Sequence, residues 1–339
     1  MIKEALKKLA EGINLSEKEA QEVMLQIMQG LALESQIAAY LMGLRIKGET
    51  VEEITGSVKA MREMALHIHV GDQLVVDTCG TGGDGANTFN ISTAAAFVVA
   101  GGGMTVAKHG NRSVSSKSGS ADVLSALGIN IDLSPERVET CINEVGIGFL
   151  FAPLYHGAMK HCAKPRQDMG IRTMMNILGP LSNPAGATIQ VLGVYDKTLT
   201  EKLAQVLIHL GTKHCFVLHG KDGLDEITLT DFTYVSEGKA GRVSSYHISP
   251  QDFGLEKISP KELTGGTPQQ NADIIEDLLK GRRNAKREIM LVNAAPAFVA
   301  TGKAKTLKEG YEQAKKVLDS GAAYEKLEKL AAFTNESSK

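Results

Sequence analysis

Between a short apolar run and an alanine-rich segment, the chain reads Asp77-Thr78-Cys79-Gly80-Thr81-Gly82-Gly83-Asp84-Gly85-Ala86-Asn87-Thr88-Phe89-Asn90-Ile91-Ser92-Thr93. The run at 74–77 predicts a buried strand, and the segment at 89–101 predicts a helix. A strand, a glycine loop and a helix in this order direct backbone N–H groups and the positive end of the helix dipole at an anion. The stretch therefore predicts a phosphate-binding loop in an α/β fold.

The glycine spacing distinguishes this loop from two common phosphate-binding motifs. It does not match the GxGxxG dinucleotide fingerprint, and the helix starts several residues late for that motif. It is not a Walker A loop either, because no Lys followed by Ser or Thr closes it. Taken alone, the segment also fits a tight turn that packs a helix on a sheet, so that alternative stays open at this point.

A second polar loop follows the next predicted strand. It runs from Lys108 to Ser120 and contains three cations, Lys108, Arg112 and Lys117, interleaved with glycine and serine. Ligands of open α/β sheets bind at the carboxyl ends of the strands, so two anion-binding loops there predict a ligand with two phosphate groups.

Adjacent carboxylates occur later in the chain, in Asp222-Gly223-Leu224-Asp225-Glu226. On a regular strand Asp225 and Glu226 would point to opposite faces, but in a glycine-containing loop both can face one cation. Oxygen ligands beside a phosphate site favour Mg²⁺. The pair alone is a weak signal, because such dipeptides are common on protein surfaces.

The remainder of the chain begins with helices and then alternates strands with helices. Residues 1–66 are expected to form about four helices, since two capping boxes, Ser16 with Glu19 and Thr50 with Glu53, precede apolar residues at helical spacing. Strands are expected at 74–77, 105–108, 149–152, 191–194, 215–218 and 289–292, and helices at 89–101, 121–127, 136–145, 156–163 and 172–178. This pattern predicts a small N-terminal all-helical domain and a larger α/β domain with a central, mostly parallel sheet flanked by helices.

The composition of the chain argues against several classes of function. The 339 residues include 37 Lys+Arg and 39 Asp+Glu, and the resulting net charge of −2 gives no electrostatic case for nucleic acid binding. The uncharged stretch 91–107 contains three consecutive glycines and is too short for a membrane span, so no membrane association is expected. The four cysteines form no CxxC motif and suggest buried thiols in a reducing, cytoplasmic compartment.

Taken together, the motifs resemble the anthranilate phosphoribosyltransferase family. The matching segments occur in the family's order and run from the helical start at Arg45–Thr50 to near the C-terminus: Gly80-Thr81-Gly82-Gly83-Asp84, Asn90-Ile91-Ser92-Thr93, Lys108-His109-Gly110-Asn111-Arg112, Ser118-Gly119-Ser120-Ala121-Asp122, Gly170-Ile171-Arg172-Thr173, Asn176-Ile177-Leu178-Gly179-Pro180-Leu181-Ser182-Asn183-Pro184 and Asp225-Glu226. The resemblance implies an enzyme of tryptophan synthesis that transfers phosphoribose from 5-phosphoribosyl pyrophosphate (PRPP) to the amine of anthranilate.

The resemblance also implies roles for individual residues. Those that would hold the pyrophosphate side of PRPP are Gly80, Gly83, Asp84, Thr88, Asn90, Ile91, Ser92 and Thr93. Those that would hold its phosphoribosyl group are Lys108, His109, Gly110, Asn111, Arg112, Ser113, Val114, Ser115, Ser116 and Ser120. Mg²⁺ would be bound by Ser92, Asp225 and Glu226. Anthranilate would meet Gly80, Asn111, Arg166, His109 and His156, with Arg166 facing its carboxylate.

The resemblance carries expectations for organisation too. Residues 1–70 would form the helical domain, completed by helices from about 167–187, and residues 71–166 and 188–339 would form the PRPP-binding domain. A homodimer through the N-terminal helices is expected. The chain departs from the family pattern at Gly157 and across Pro165–Met169, which places the details of anthranilate entry in question.

Three other functions remain to be weighed. A pyrimidine nucleoside phosphorylase has a similar fold and would cleave thymidine with phosphate. A non-catalytic paralogue that binds nucleic acid would show a basic face and a lost Asp-Glu pair, neither of which this sequence has. A dinucleotide-dependent dehydrogenase would bind NAD, and the glycine spacing counts against it.

Overall fold

The fold was analysed in a computed structural model that describes residues 1–113 and 117–336. Four helices open the chain: α1 (Ile2–Ala10), α2 (Glu17–Met28), α3 (Glu34–Lys47) and α4 (Val51–Glu63). Both predicted capping boxes are present, because Ser16 and Thr50 each accept the backbone N–H of the glutamate three residues on. The predicted N-terminal helical domain is therefore confirmed.

A seven-stranded sheet forms the centre of the larger domain. Its strands are β1 (Val75–Gly80), β2 (Thr105–Gly110), β3 (Ile147–Phe151), β4 (Ile189–Gly193), β5 (His214–Gly220), β6 (Thr233–Lys239) and β7 (Arg242–Ile248). The spatial order is β3-β2-β1-β4-β5-β6-β7; β1 to β5 are parallel, and β6 and β7 are antiparallel to their neighbours. The prediction of a mostly parallel sheet is confirmed.

Helices cover both faces of this sheet. They are α5 (Ile91–Gly101), α6 (Ser120–Ala126), α7 (Pro135–Val145), α8 (Ala152–Tyr155), α9 (Lys160–Met169), α10 (Met175–Leu181), α11 (Leu199–His209), α12 (Pro268–Leu279), α13 (Ala285–Ala300), α14 (Leu307–Asp319) and α15 (Ala322–Asn335). The largest apolar cluster joins the sheet to α5 and α13, and a second joins its other face to α11 and the N-terminal helices. Of the helices described, none combines the length and apolar character needed to cross a bilayer.

The prediction of a strand at Ile289–Val292 is wrong, because these residues lie inside α13. An apolar run of four residues has no period of its own, so it fits a buried strand and a buried helix equally well. The helix is buried almost all round from Ile289 to Phe298, and its N-cap Asn284 accepts the backbone N–H of Arg287. Because this part of the helix is buried almost all round, its apolar sequence resembles that of a buried strand.

The sequence prediction missed the hairpin of β6 and β7. These strands are joined by Ala240 and Gly241, whose φ angles are +50° and +78°. Two left-handed residues between antiparallel strands are typical of a tight hairpin turn. Only Gly241 belongs to the residues that commonly mark such a turn, so the signal was weak.

Candidate active site

The two predicted loops leave the sheet at one edge. Strands β1, β2, β4 and β5 run parallel and end at Gly80, Gly110, Gly193 and Gly220. From β1 the chain continues to β2 and β3 on one side of β1 and then returns to β4 on the other side. The carboxyl end of β1 is therefore a topological switch point. Open α/β sheets bind ligands in the crevice at such a point.

The loop after β1 has a backbone shape that glycine favours. Gly82, Gly83 and Gly85 have φ angles of +65°, +77° and +73°, and Asn87 has +52°. Successive left-handed and right-handed residues turn backbone N–H groups toward a common concavity. Thr81 ties the loop to β4, since its N–H donates to the Gly193 carbonyl at 2.9 Å.

The acidic pair meets this loop from across the sheet. The N–H of Gly82 donates to Oδ2 of Asp225 at 2.8 Å, and the N–H of Ser92, in the first turn of α5, donates to Oε1 of Glu226 at 3.1 Å. The two carboxylates lie in the loop between β5 and β6, more than 130 residues from these partners. Both carboxylates therefore face the glycine loop and the start of α5.

Two strand-end glycines admit Asp225 to this position. A Cβ on Gly193 would lie 1.5 Å from the carbonyl oxygen of Asp225, and one on Gly80 would lie 2.6 Å from its Oδ2. Glycine is therefore required at the end of β4, where a Cβ would overlap backbone, and a Cβ at the end of β1 would displace the Asp225 carboxylate.

Burial and repulsion raise the pKa of both acidic groups. The pKa of Asp225 rises because the carboxyl is desolvated and lies near Asp84, and the pKa of Glu226 rises because of its own burial and the charge of Asp225. The buried Lys108 ammonium opposes this effect on Glu226. The site therefore concentrates negative charge that one lysine balances only in part.

Lys108 points inward, beneath the glycine loop. Its Nζ donates to the carbonyl of Thr78 and lies 3.5 Å from Oγ of Ser92, and burial lowers its pKa while Asp77 raises it. Asp77 in turn accepts the N–H of His109 at 3.1 Å. The lysine thus joins β1, β2 and α5 directly below the edge of the sheet.

The second loop is joined to the first. Asn90 donates through Nδ2 to the carbonyl of Ser118 at 3.1 Å, and its Oδ1 accepts the hydroxyl of Ser118 at 3.3 Å. Asp122 holds the loop's ends together, because its Oδ2 accepts the N–H groups of Ser113 and Gly119. The loops after β1 and β2 are therefore hydrogen-bonded neighbours at this edge of the sheet.

The other predicted PRPP residues fall into two groups. The side chains of Ile91 and Thr93 are buried in the core, and Thr88 forms an isolated bridge with Thr264. Those at the mouth of the second loop are accessible in part: Asn111 and Arg112 are exposed, Ser120 donates to the Asn111 carbonyl at 3.3 Å, and Arg112 pairs with Asp122 at 3.0 Å. Predicted residues Val114, Ser115 and Ser116 lie outside the described part of the chain.

Two buried histidines lie on the other side of β2. The rings of His109 and His156 meet edge to face with centroids 5.1 Å apart. Burial, followed by the neighbouring imidazole, lowers the pKa of His109 to about 3, and burial lowers that of His156 to about 4. Nε2 of His109 and both ring nitrogens of His156 have no hydrogen-bond partner among the described residues.

Arg166 lies on α9, which packs against α3 of the helical domain. The guanidinium is half-buried, and burial lowers its pKa. Among residues 1–113 and 117–336, the guanidinium makes no hydrogen bond and no ion pair. Its charge is therefore available to an anion.

Sequence reasoning missed one contact at the glycine loop. Arg172 donates through Nη2 to the carbonyl of Gly83, and its guanidinium lies 4.5 Å above the ring of Tyr195, which follows β4. Arg172 precedes α10 rather than lying in the helix predicted from 172, because α10 begins at Met175. The quoted segment Gly170–Thr173 contained the residue, but nothing in its spacing indicated the contact.

The fold and this site are those of a pentose-transferring class of enzyme. Two family models match the chain: the helical bundle domain of the glycosyl transferase family over residues 3–65, and its a/b domain over residues 72–324. The chain belongs to this glycosyl transferase family and, within it, to the anthranilate phosphoribosyltransferases, as its curated relatives show.

Relatives of that name match over nearly the whole chain. The anthranilate phosphoribosyltransferase of Geobacter sp. (strain M21) is 54% identical over 350 residues, with 99% of each chain covered. The one from Acetivibrio thermocellus is 53% identical over 335 residues, which cover 99% of this chain and 97% of the relative.

Solved structures agree with this result. The anthranilate phosphoribosyltransferase of Thermus thermophilus matches with a TM-score of 0.93 and 42% identity, over 98% of this chain and 99% of that one. The enzyme of Saccharomyces cerevisiae, solved in complex with PRPP and Mg, matches with a TM-score of 0.88 and 28% identity, over 98% and 97%. The same yeast enzyme has also been solved in complex with 4-fluoroanthranilate.

Proposed function

We propose that this chain transfers the 5-phosphoribosyl group of PRPP to the amine of anthranilate, giving N-(5-phosphoribosyl)anthranilate and pyrophosphate, in tryptophan synthesis. One observation carries the proposal: Asp225 and Glu226 reach across the sheet to the glycine loop and the start of α5. This arrangement places carboxylates and backbone N–H groups around one point, as binding of a metal-chelated diphosphate requires.

The glycine loop and the second loop would bind different parts of PRPP, the phosphoribosyl donor. Residues 80–93 would hold the pyrophosphate, since their N–H groups and the N-terminus of α5 favour negative charge. The loop that follows β2, with Asn111, Arg112 and Ser120 at its mouth, would hold the phosphoribosyl group. Support comes from the Asn90–Ser118 hydrogen bonds, which keep the two loops a fixed distance apart.

The donor set fits Mg²⁺. The proposed ligands are oxygen atoms, from Asp225, Glu226 and the hydroxyl of Ser92. Burial, and then repulsion between carboxylates, raises both acidic pKa values, and a divalent cation would relieve the repulsion. No three His, Cys, Asp or Glu side chains of the described residues form a metal-binding group. Mg²⁺ usually takes one or two carboxylates and completes its shell with phosphate and water. When bound, the ion would neutralise charge on the leaving pyrophosphate.

The acceptor would enter beside the histidine pair. His109 and His156 are neutral near pH 7, so they offer uncharged ring edges and unpaired nitrogens to an aromatic amine. Arg166 would bind the carboxylate of anthranilate, since a planar guanidinium matches a carboxylate in shape and charge. Asn111 and Gly80 lie between the two substrates in this assignment.

The chemistry requires positioning more than proton transfer. Displacement of pyrophosphate develops positive charge on the sugar and negative charge on the leaving group, which preorganised N–H groups and cations stabilise. An aromatic amine is unprotonated at neutral pH and attacks without a strong base. The absence of a catalytic base from the assigned residues is consistent with that reaction.

The proposed activity has a direct assay. The protein is mixed with anthranilate, PRPP and Mg²⁺, and the loss of anthranilate fluorescence is followed. Fluorescence should fall only when all three components are present. Phosphorolysis of thymidine without loss of anthranilate would support a pyrimidine nucleoside phosphorylase instead.

We further propose that the helical domain comprises residues 1–70 together with about 167–187. Support comes from α10, whose residues share an apolar cluster with α4, and from Arg62, which donates to the Leu181 carbonyl through Nε at 3.0 Å and Nη2 at 2.8 Å. Residues 71–166 and 188–339 would then move as the PRPP-binding domain. Hydrogen exchange measured with and without PRPP would test this division.

A homodimer through the N-terminal helices is also proposed. Met42 and Ile46 lie one turn apart on α3 and are 38% and 78% exposed, which leaves an apolar strip on the surface of this domain. The double variant Met42→Glu with Ile46→Glu should sediment as a monomer. Leu154→Glu, at an exposed apolar position outside this domain, should leave the sedimentation coefficient of the wild type unchanged.

We place the protein in the cytoplasm. Its four cysteines are buried and free of disulfides, which agrees with a reducing compartment. Fractionation of cells that express the protein would test the location.

A further inference from the structure

Asn293 of α13 pairs with the backbone directly after the acidic pair. Its Oδ1 accepts the N–H of Ile227 at 2.7 Å, and its Nδ2 donates to the carbonyl of Ile227 at 2.9 Å. A third bond runs from Nδ2 to the carbonyl of Ile289 at 2.9 Å, one turn earlier in the same helix. The side chain is 2% exposed, so its amide is committed to these three bonds without competition from water.

These bonds fix a segment that has no regular structure of its own. Residues 221–232 connect β5 to β6, and neither Asp225 nor Glu226 belongs to a strand. In a sheet, a neighbouring strand pairs with the N–H and the C=O of one residue. Here a side-chain amide pairs with both groups instead. Ile227 follows Glu226 directly. Because the peptide planes of Ile227 are fixed, they set the direction in which the side chain of Glu226 leaves the backbone.

The other end of the segment is held separately. Asp222 accepts the hydroxyls of Thr228, at 2.7 Å, and Thr230, and also the N–H of Leu224 at 3.3 Å. Asp222 therefore closes the loop on itself, whereas Asn293 attaches it to a helix of the core. Of these two anchors, only the second attaches the backbone of the loop to the core; the carboxylates themselves accept the N–H groups of Gly82 and Ser92.

We propose that Asn293 is a positioning residue for the metal-binding carboxylates Asp225 and Glu226; the inference rests on the function proposed above. Mg²⁺ tolerates little departure from octahedral geometry, so small displacements of two carboxylates weaken binding. Groups that orient metal ligands typically change metal affinity by 10- to 100-fold when they are removed. Asn293 touches neither metal nor substrate and acts only through Ile227.

The test compares variants at two positions of the same helix, Asn293 and Phe298. Asn293→Leu keeps the number and branching of the side-chain heavy atoms and removes all three hydrogen bonds. Asn293→Ser, which supplies a hydroxyl in place of the amide, serves where the leucine variant does not fold. Phe298→Leu is the matched control, because Phe298 is buried five residues further along α13, against Gly102 at the far end of α5. All are compared at temperatures equally far below their melting points.

Two measurements are made on the full chain. Binding of Mn²⁺ in the presence of PRPP is titrated by electron paramagnetic resonance, and hydrogen exchange is followed in the peptide that covers 222–230. We expect Asn293→Leu to weaken Mn²⁺ binding about tenfold or more and to speed exchange in that peptide. The serine variant should show a smaller change in the same direction, and Phe298→Leu should change neither quantity.

Wild-type Mn²⁺ affinity in both Asn293 variants would overturn the inference, and so would an equal loss in Phe298→Leu. Failure of the proposed function has a different signature. In that case the wild type itself would consume no anthranilate, and exchange in 222–230 would still decide whether Asn293 holds the acidic loop.

Discussion

The proposed donor side and the proposed acceptor side of the site are built differently. On the donor side, the N–H groups of Thr81, Gly82 and Ser92 already have acceptors in the protein, two of them carboxylate oxygens. On the acceptor side, His156 has two unpaired ring nitrogens among the described residues, and Arg166 is half-buried with no counter-charge described. The proposed donor side satisfies these three N–H groups, although the buried hydroxyl of Thr93 has no partner among the described residues, whereas the proposed acceptor side leaves three histidine nitrogens unpaired there.

The difference follows from what each substrate supplies. A diphosphate brings several charges, and the protein must hold many dipoles and cations in fixed places to stabilise them as they change. Anthranilate brings one ring and one carboxylate, so a few buried polar atoms suffice to orient it. Damage to the donor side should therefore reduce turnover, whereas damage to the acceptor side should reduce binding of one substrate.

The largest effect is expected for the acidic pair. Asp225→Asn with Glu226→Gln should lower kcat by about 1000-fold while the KM for anthranilate changes little. The two carboxylates would hold the cation that neutralises charge on the leaving group, so their loss slows the reaction rather than the binding of anthranilate. Steady-state kinetics at saturating PRPP measure this. Asp231→Asn in the same loop is the matched control, because that carboxylate pairs with exposed Lys221 and Lys257 and accepts the N–H of Phe232. Unchanged turnover in the double variant would remove the metal role.

A smaller and more selective effect is expected for Arg166. Arg166→Ala should raise the KM for anthranilate about 30- to 100-fold, since a charge-assisted bond to a carboxylate is lost from a partly buried site. The KM for PRPP should stay near the wild-type value. Lys164→Ala two residues earlier, where the ammonium pairs with Asp168 in solvent, controls for changes to α9. A raised KM for PRPP with normal anthranilate binding would defeat the assignment.

The smallest effect concerns acid stability. The pKa of His156 is about 4 in the folded protein and about 6.5 when unfolded, so stability is full above pH 6.5 and falls as the pH drops toward 4. At pH 5 this group alone should cost about 2 kcal/mol of unfolding free energy. His156→Asn should flatten the dependence between pH 7 and pH 5 in denaturant titrations. The exposed His69→Asn variant controls for the loss of a histidine, and an unchanged slope in His156→Asn would contradict burial of an uncharged ring.

Contiguous segments made much of this architecture predictable. The strand at Val75–Gly80, the glycine loop and the start of α5 follow one another directly, so their order favours a phosphate-binding loop over a tight turn without excluding the turn. The acidic pair was predictable as a pair of neighbours in a glycine-containing turn. Capping residues Ser16 and Thr50 act over three residues and marked two helix starts correctly.

Contacts that depend on topology were not predictable in this way. Asn293 and Ile227 are 66 positions apart, and Gly193 meets Asp225 only because β4 and β5 are neighbours in the sheet. A buried asparagine in an apolar run gives no sign of its partner, and that same run at Ile289–Val292 suggested a strand. Periodicity identifies which residues are buried, whereas the choice between helix and strand required the packing of the whole domain.

A crystal structure of this protein with PRPP and Mg²⁺ tests the central claim most directly. The account predicts pyrophosphate between the loop at 80–88 and the carboxylates of Asp225 and Glu226, with the ribose 5-phosphate against the loop that follows β2. Density for PRPP in another crevice, with Asp225 and Glu226 making no contact to a cation, would contradict it.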